Sequence, residues 1–494
     1  MSLYLDHTHQ VFSNAADAMS SKSTLSLLQR YAYSVAKQGN GVIVEIGAYR
    51  GASTVALAKG VKIAGLGLVN SIDPHLPATG LYGGKFSQND HIHYMENLES
   101  SGVTSWVNHI CTTSQEAASD WTSPIDLLWI DGDHSYEGVA SDIALWIPYI
   151  KDQGIVIFDD VVPRSEVEAA IRDHLPFSHF RLVEQLDNVM VFKKQSVPRT
   201  LYLCGGMQSS GSTLVSWCFL QRSDLDGVLD MENALIHQDF SMVKTESVWI
   251  KMTIGSFRLA ELVHLYKAQG WLVKPLLMQR DLTVIYQSLR NKPYGFDGAT
   301  GDEPPIFTRI QRYLADLDAA HTNGWPILNY NVLINNPREE LNRVCCLLHL
   351  AWDEAMIDWP KTEASIAYMA NGNPSFLNTK HGSANMLTTI ANYPSQEGFP
   401  QAEHPSFLEK FANAIDLHSN PDEFLDGSST KTVSLPSVRF WGTRRQFLEN
   451  EFNVMRNSLS ITEQKLNRIL FHVIFGRLLK FWKHFINNSF PARD

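Results

Sequence analysis

Cysteine is scarce in this chain. The five present, Cys111, Cys204, Cys218, Cys345 and Cys346, are odd in number and form no C-x-x-C pair. That pattern argues against a disulfide framework and a thiolate zinc site, and it suits a reducing cytoplasm. Long hydrophobic runs are missing as well, since no apolar stretch reaches the roughly 20 residues that span a bilayer. The opening "MSLYLDHTHQVFSN" lacks a charged region followed by an apolar one, so no signal peptide is expected. Positive charge is also short, with 41 Lys and Arg against 52 Asp and Glu and a net charge of −11. The shortage is uneven. From Lys431 onward eleven basic residues face four acidic ones, a net +7, which leaves −18 on the first 430 residues. An acidic body argues against nucleic-acid partners for the main domains.

What remains is an ordinary globular composition, 44% apolar and 19% charged, on 494 residues, too many for one core. Residues 10–38 have helical apolar spacing. Short apolar runs then alternate with helical segments: "GVIVEIG", "GLGLVNSID", "WVNHICT", "IDLLWIDG" and "GIVIFDDV", followed by "FRLVEQ" and "NVMVFKK" as an antiparallel pair. Continuous apolar strands between helices predict a parallel sheet covered on both faces. The polar "KKQSVPRT" marks a boundary near 195–199. A second alternation follows, with strands expected at "TLYLCGG", "SVWIKMT", "WLVKPLLMQRD" and "WPILNYN". Residues 292–306 and 371–405, rich in Gly, Pro and Asn, are expected as loops over a site. The expected architecture is two tandem three-layer α/β/α domains, 1–197 and 198–430, with a helical tail over 431–494.

"VEIGAYRGAST" places Glu45, Gly47 and Gly51 where a strand turns into a helix, the usual place for backbone to approach a ligand. "SIDPH" sets Asp73 at the end of the next strand. Asp131 ends a later strand, and the pair Asp159-Asp160 ends the one after it. A lone aspartate at such a position caps a helix or faces water. The ordered set is more telling, and residues 41–194 resemble a class I S-adenosylmethionine-dependent methyltransferase, with "IDLLWIDGDHSYEGVASDIALWIPYIKDQGIVIFDD" close to a small-molecule O-methylating branch. The resemblance implies that Gly47 and Gly51 hold the methionine part of the donor, with Glu45 near its amine. Asp73 would take the ribose, and Thr113 and Ser114 would lie by the adenine. It further implies a Mg²⁺ ion on Asp131, Asp159 and Asp160, though the family usually has asparagine where Asp160 stands. His134 is the candidate general base.

The second domain opens on "LYLCGGMQSSGSTLVSW". Its core, Gly206 to Thr213, nearly matches the phosphate-binding G-x-x-x-x-G-K-[ST], but Ser212 stands where the lysine belongs. Ser209, Ser210, Gly211, Ser212 and Thr213 still form an anion cradle at a helix start. "LLMQRDLTVIYQSLRNK" adds Arg280 and, eight residues on, Ser288, a second place for a phosphate. As a set over about 200–380, these motifs resemble PAPS-dependent sulfotransferases (PAPS, 3′-phosphoadenosine-5′-phosphosulfate). The resemblance puts the 5′-phosphosulfate on the loop, the 3′-phosphate on Arg280 and Ser288, and Lys380 over the nucleotide. Two departures matter. Ser209 replaces a basic residue, leaving Lys251 to stabilise the leaving phosphate, and Thr253 stands where many members have histidine. Glu232 and His237 are then the candidate bases.

In the tail, Leu466, Ile469, Leu470, Val473 and Phe481 have helical spacing beside Arg468, Arg477, Lys480 and Lys483. Such a helix packs on the body or on a second subunit, or lies on an anionic membrane. The expected function is O-methylation and O-sulfation of hydroxyls on one acceptor, a sugar, a glycan or a hydroxylated secondary metabolite. Two alternatives stay open: one domain, more readily the second, as a degenerate binding module, or a second domain akin to a nucleotide kinase.

Overall fold

Two parallel sheets follow one another along the chain in the computed structural model, which describes residues 20–79, 85–229, 240–255, 257–290 and 306–359. Glu232, His237, Lys380, the two expected loops and the whole 431–494 tail lie outside the described residues, apart from Ile306 at the end of the first loop.

The first sheet is built from β1 (Val42–Ile46), β2 (Leu68–Ile72), β3 (Val107–Ile110), β4 (Ile125–Ile130), β5 (Ile150–Phe158), β6 (Phe180–Leu186) and β7 (Val189–Lys194). Their order is β3-β2-β1-β4-β5-β7-β6. The first five pair in parallel, and β7 runs antiparallel to both β5 and β6, as the sequence predicts. Strands such as β4, "IDLLWI", are buried throughout because helices cover both faces. The helices are α1 (Lys22–Gln38), α2 (Ala52–Ala64), α3 (Asn89–Ser100), α4 (Ser114–Ser119), α5 (Tyr136–Trp146) and α6 (Glu166–His174). Four have side-chain caps: Ser21, Thr113, Ser135 and Ser165 each accept a backbone N–H from the first turn. This is a Rossmann-like sheet whose order reverses between β1 and β4, and ligands bind outside strand carboxyl ends at such a point.

The second sheet contains β8 (Thr200–Gly206), β9 (Leu225–Val228), β10 (Ser247–Thr253), β11 (Leu272–Gln279) and β12 (Ile327–Asn329), in the order β9-β10-β8-β11-β12. All its pairings are parallel. Its helices are α7 (Ser212–Leu220), α8 (Leu259–Ala268), α9 (Leu282–Arg290), α10 (Ile306–Asn323), α11 (Tyr330–Asn335) and α12 (Pro337–Leu348). Strand β8 lies between β10 and β11, so the loop after it sits where this sheet's order also reverses. "WPILNYN" is strand over three residues only. Asn329 caps α11 by accepting from the N–H groups of Asn331 and Val332, which turns the chain into helix at Tyr330.

The sheets share a core at their junction. Phe177 packs against Phe240, and Phe240 against Trp271, with ring centroids 6.3 and 5.1 Å apart. Arg199, 3% exposed, fastens this seam. Its Nη1 donates to the carbonyls of Phe177 and Phe180, and its Nη2 to those of Val243 and Thr245.

Candidate functional site

The carboxyl edge of the first sheet collects the acidic residues in one row. Beyond the strands the backbone ladder continues, with Gly47 N donating to Ile72, Asp131 N to Ile46 and Asp159 N to Ile130. Gly47 has φ +84, and a Cβ there would lie 2.2 Å from the carbonyl oxygen of Asp131, so only glycine fits. Gly51 has φ +83 and begins α2 without a side-chain cap. Beneath the turn Glu45 is fully buried. Its Oε2 accepts from Thr54 at 2.5 Å and Ser71 at 2.8 Å, while Oε1 is buried without a hydrogen-bond partner. Burial pushes its pKa up to about 7 against the pull of those hydroxyls. Asp73 clasps the turn. Its Oδ2 accepts from the N–H groups of Ala48 and Tyr49 at 3.0 and 2.8 Å, and its Oδ1 from that of His75.

Where Mg²⁺ was expected, the His134 imidazole stands between the acids, with Nε2 3.3 Å from Asp131 Oδ1 and Nδ1 3.2 Å from Asp160 Oδ2. Burial opposes its charge, but the hydrogen bonds to the two carboxylates outweigh it and raise its pKa to about 10. Asp160 also accepts from Asn188 Nδ2. In this arrangement His134 engages carboxylate oxygens that a bound metal would need. Among the described residues no group of three His, Cys, Asp or Glu is arranged to hold one. Both ring nitrogens of His134 lie against carboxylates, so one of them must be released for it to act as a base.

Thr113 serves as the N-cap of α4 in a capping box with Glu116. Ser114 donates to the buried Asp142 at 2.5 Å and accepts from Trp146 Nε1. Sequence reading missed a cluster beside Asp73. His75 stacks on His91, and both approach His109, with ring centroids 4.9 to 5.2 Å apart; Tyr94 closes the group 4.6 Å from His109. His91 and Tyr94 share a face of α3, but His75 follows β2 and His109 lies on β3, so only the fold unites the group.

The second sheet's edge presents the glycine loop. Ser209 and Gly211 have φ +65 and +94, and a Cβ on Gly211 would strike the Tyr330 ring at 2.3 Å. Gly211 precedes α7 without a side-chain cap. Two residues chosen for a different phosphate reach this loop. Arg280 Nη1 donates to the Ser209 carbonyl at 2.6 Å, and Ser288 Oγ donates to Ser209 Oγ at 3.1 Å. The Arg280 guanidinium also lies over the Tyr330 ring, 4.1 Å from its centroid. Lys251, nearly buried, pairs in register with Cys204 one step below the loop and donates to Thr253 Oγ1 at 3.2 Å. Arg309 on α10, which sequence reading passed over, donates to Gln208 Oε1.

Residues 44–161 match the family model described as a methyltransferase domain. That part of the chain is a methyltransferase domain. It runs from β1 past β5 and contains the glycine turn and the three expected acids. The uncharacterized protein R132 of Acanthamoeba polyphaga mimivirus is 32% identical over 127 residues, 24% of this chain and 50% of that protein. The chain thus spans half the length of the curated relative it matches. Among solved structures, cofactor-bound Rv0187 from MTB overlaps at 17% identity and a TM-score of 0.30, covering 39% of this chain and 89% of that one. The O-methyltransferase TomG of Streptomyces achromogenes, in complex with SAM, gives 14%, 0.29, 39% and 89%. The Bacillus cereus O-methyltransferase with SAH gives 18%, 0.29, 38% and 90%. At such scores the fold of the methyltransferase domain rests on its strand order.

Proposed function

We propose that the chain is a two-donor transferase that O-methylates from S-adenosylmethionine and O-sulfates from PAPS, acting on hydroxyls of one sugar, glycan or hydroxylated secondary metabolite. The observation that carries the second activity is the meeting of Ser209, Arg280 and Ser288. Residues more than seventy positions apart, picked from separate motifs, share one loop. The methyl activity draws on the family match and on the buried acids beneath the Gly47 turn.

S-adenosylmethionine supplies a methyl group on a sulfonium, and PAPS supplies a sulfuryl group on a phosphate. Each of the chain's own residues then has a task. Gly47 lets backbone approach the methionine, and Glu45, buried beneath the turn, is the carboxyl nearest its ammonium. Asp73 holds the turn and has lone pairs left for ribose hydroxyls. His134, between Asp131 and Asp160, is the candidate to take the acceptor hydroxyl's proton as the methyl group is transferred. In the second domain, the loop N–H groups and hydroxyls of residues 209–213 take phosphate oxygens, and Arg280, Ser288 and Lys251 add charge and donors.

Thermal unfolding of the full chain with S-adenosylhomocysteine, PAP (the desulfated product) or ADP, each with and without Mg²⁺, tests this reading. A ligand at 100 times its Kd stabilises by about 2.7 kcal/mol. Shifts with S-adenosylhomocysteine and PAP and none with ADP are expected, and a Mg²⁺ dependence of the first shift reports on the Asp131, Asp159 and Asp160 set. ADP matching PAP would favour a kinase-like second domain. PAP binding without sulfate transfer to any acceptor would make that domain a binding module.

A further inference from the structure

The loop at 206–213 contains no cation, yet a phosphate group seated there brings nearly two negative charges. The N-terminus of α7 offers about half a positive charge. Helix α10 brings another. Asp316, fully buried on that helix, accepts from the N–H groups of Leu259 and Ala260 at 2.6 and 3.1 Å and from Arg258 Nε at 3.3 Å. Its carboxylate thereby pins α10 against the start of α8. Seven residues earlier is about two helical turns, so the same face carries Arg309 up to the sheet's carboxyl edge. There the guanidinium, 0% exposed, donates to Gln208 inside the loop. Tyr313, one turn from Arg309, is also buried, and Arg312 holds the helix from the side by donating to the Gly255 carbonyl.

The loop contains a second sign of an intended anion. Ser210 is completely buried, and its Oγ has no hydrogen-bond partner. It lies over Gly206, where a Cβ would come within 2.5 Å of it. A buried hydroxyl without a partner is costly and is satisfied when an acceptor enters the loop.

We propose that Arg309 replaces the absent loop lysine and binds the 5′-phosphate of the nucleotide held by this loop. This rests on the two-donor reading. A guanidinium suits the task because its planar fork meets two phosphate oxygens at once, which lysine's point charge does not. The charge also arrives from outside the loop, so the loop's own sequence can lose its lysine without losing the anion. Arg280 and Ser288 reach the same loop at Ser209, one residue from Gln208.

Titration calorimetry of the full chain and its Arg309→Gln variant with PAP and with adenosine 3′-phosphate tests this. The second ligand lacks only the 5′-phosphate. Arg309→Gln should weaken PAP by about 30-fold and leave adenosine 3′-phosphate unchanged, which also reports a folded variant. Arg309→Lys should recover part of the PAP affinity. Equal loss for both ligands, or no loss for either, would overturn the assignment. If the wild-type chain binds no PAP, the sulfotransferase reading itself fails, and pyrophosphate then probes Arg309 alone. Pyrophosphate binding that Arg309→Gln removes upholds the anion role, and binding that survives it, or none at all, ends it.

Discussion

The two edges of this molecule share a strand, a glycine turn and a helix start, yet they are lined with opposite charge. At the Gly47 turn lie Glu45, Asp73 and Asp131, with His134 against Asp131. Around the 206–213 loop lie Arg280, Arg309 and Lys251. A glycine turn at a helix start is therefore a neutral frame, and the side chains brought in from neighbouring elements decide what it holds. The acid-lined edge suits a donor with a sulfonium and an ammonium. The base-lined edge suits a donor with phosphates.

The largest effects should come from breaking the frame itself. Replacing Arg199 with Met strips four carbonyls, two from each domain, of their donor at the seam, and should cost about 3–5 kcal/mol in urea unfolding. A split of one transition into two would mark the seam as the element that couples the edges. The glycines come next. Gly47→Ala drives a Cβ into the Asp131 backbone, whereas Gly211→Ala meets the buried Tyr330 ring, a side chain rather than backbone. We expect about 3 kcal/mol for the first and about half that for the second, read as shifts in melting temperature. Equal losses would mean that the Tyr330 ring is as rigid as backbone.

The frame was largely legible from sequence because buried parallel strands write themselves as continuous apolar runs. "TLYLCGG" and "SVWIKMT" coincide with β8 and β10 residue for residue. Strand β9, "LDGV", escaped notice because four residues with a central glycine carry no apolar run. The chemistry was harder. Residues that precede or follow a glycine turn could be found by position, but what stands beside them could not. His134 was visible, and its two carboxylate partners were named, yet only coordinates show it lying between them. Arg309 lies about a hundred positions from Gln208, and no spacing rule connects them. The His75, His91 and His109 cluster is hidden for the same reason.

Swapping the lining tests the charge contrast directly. Glu45→Gln should weaken S-adenosylhomocysteine by about 30-fold and leave PAP binding unchanged. Arg280→Met should weaken PAP by a similar factor and leave S-adenosylhomocysteine unchanged. Calorimetry with both ligands on both variants gives the four numbers. Cross-effects of equal size would mean that the seam transmits strain between the edges and that the contrast is not local.

A smaller effect separates the edges by pH. Glu45 has its folded pKa at about 7 against an ordinary 4.5, chiefly through burial. A carboxyl shifted upward favours the fold when protonated. Its contribution to stability is complete below pH 4.5 and is lost as pH rises through 7. Ligand binding runs the other way, because the donor's ammonium pairs with the ionised form. S-adenosylhomocysteine affinity should therefore rise about tenfold between pH 6 and 8 as Glu45 ionises, with proton release on binding visible as a buffer-dependent enthalpy. Glu45→Gln should flatten that rise. PAP affinity should not follow Glu45, which lies at the edge of the other sheet. A pH profile of S-adenosylhomocysteine binding that stays flat in the wild-type chain would mean that Glu45 keeps its proton and that Asp73 and the turn's backbone hold the ammonium instead.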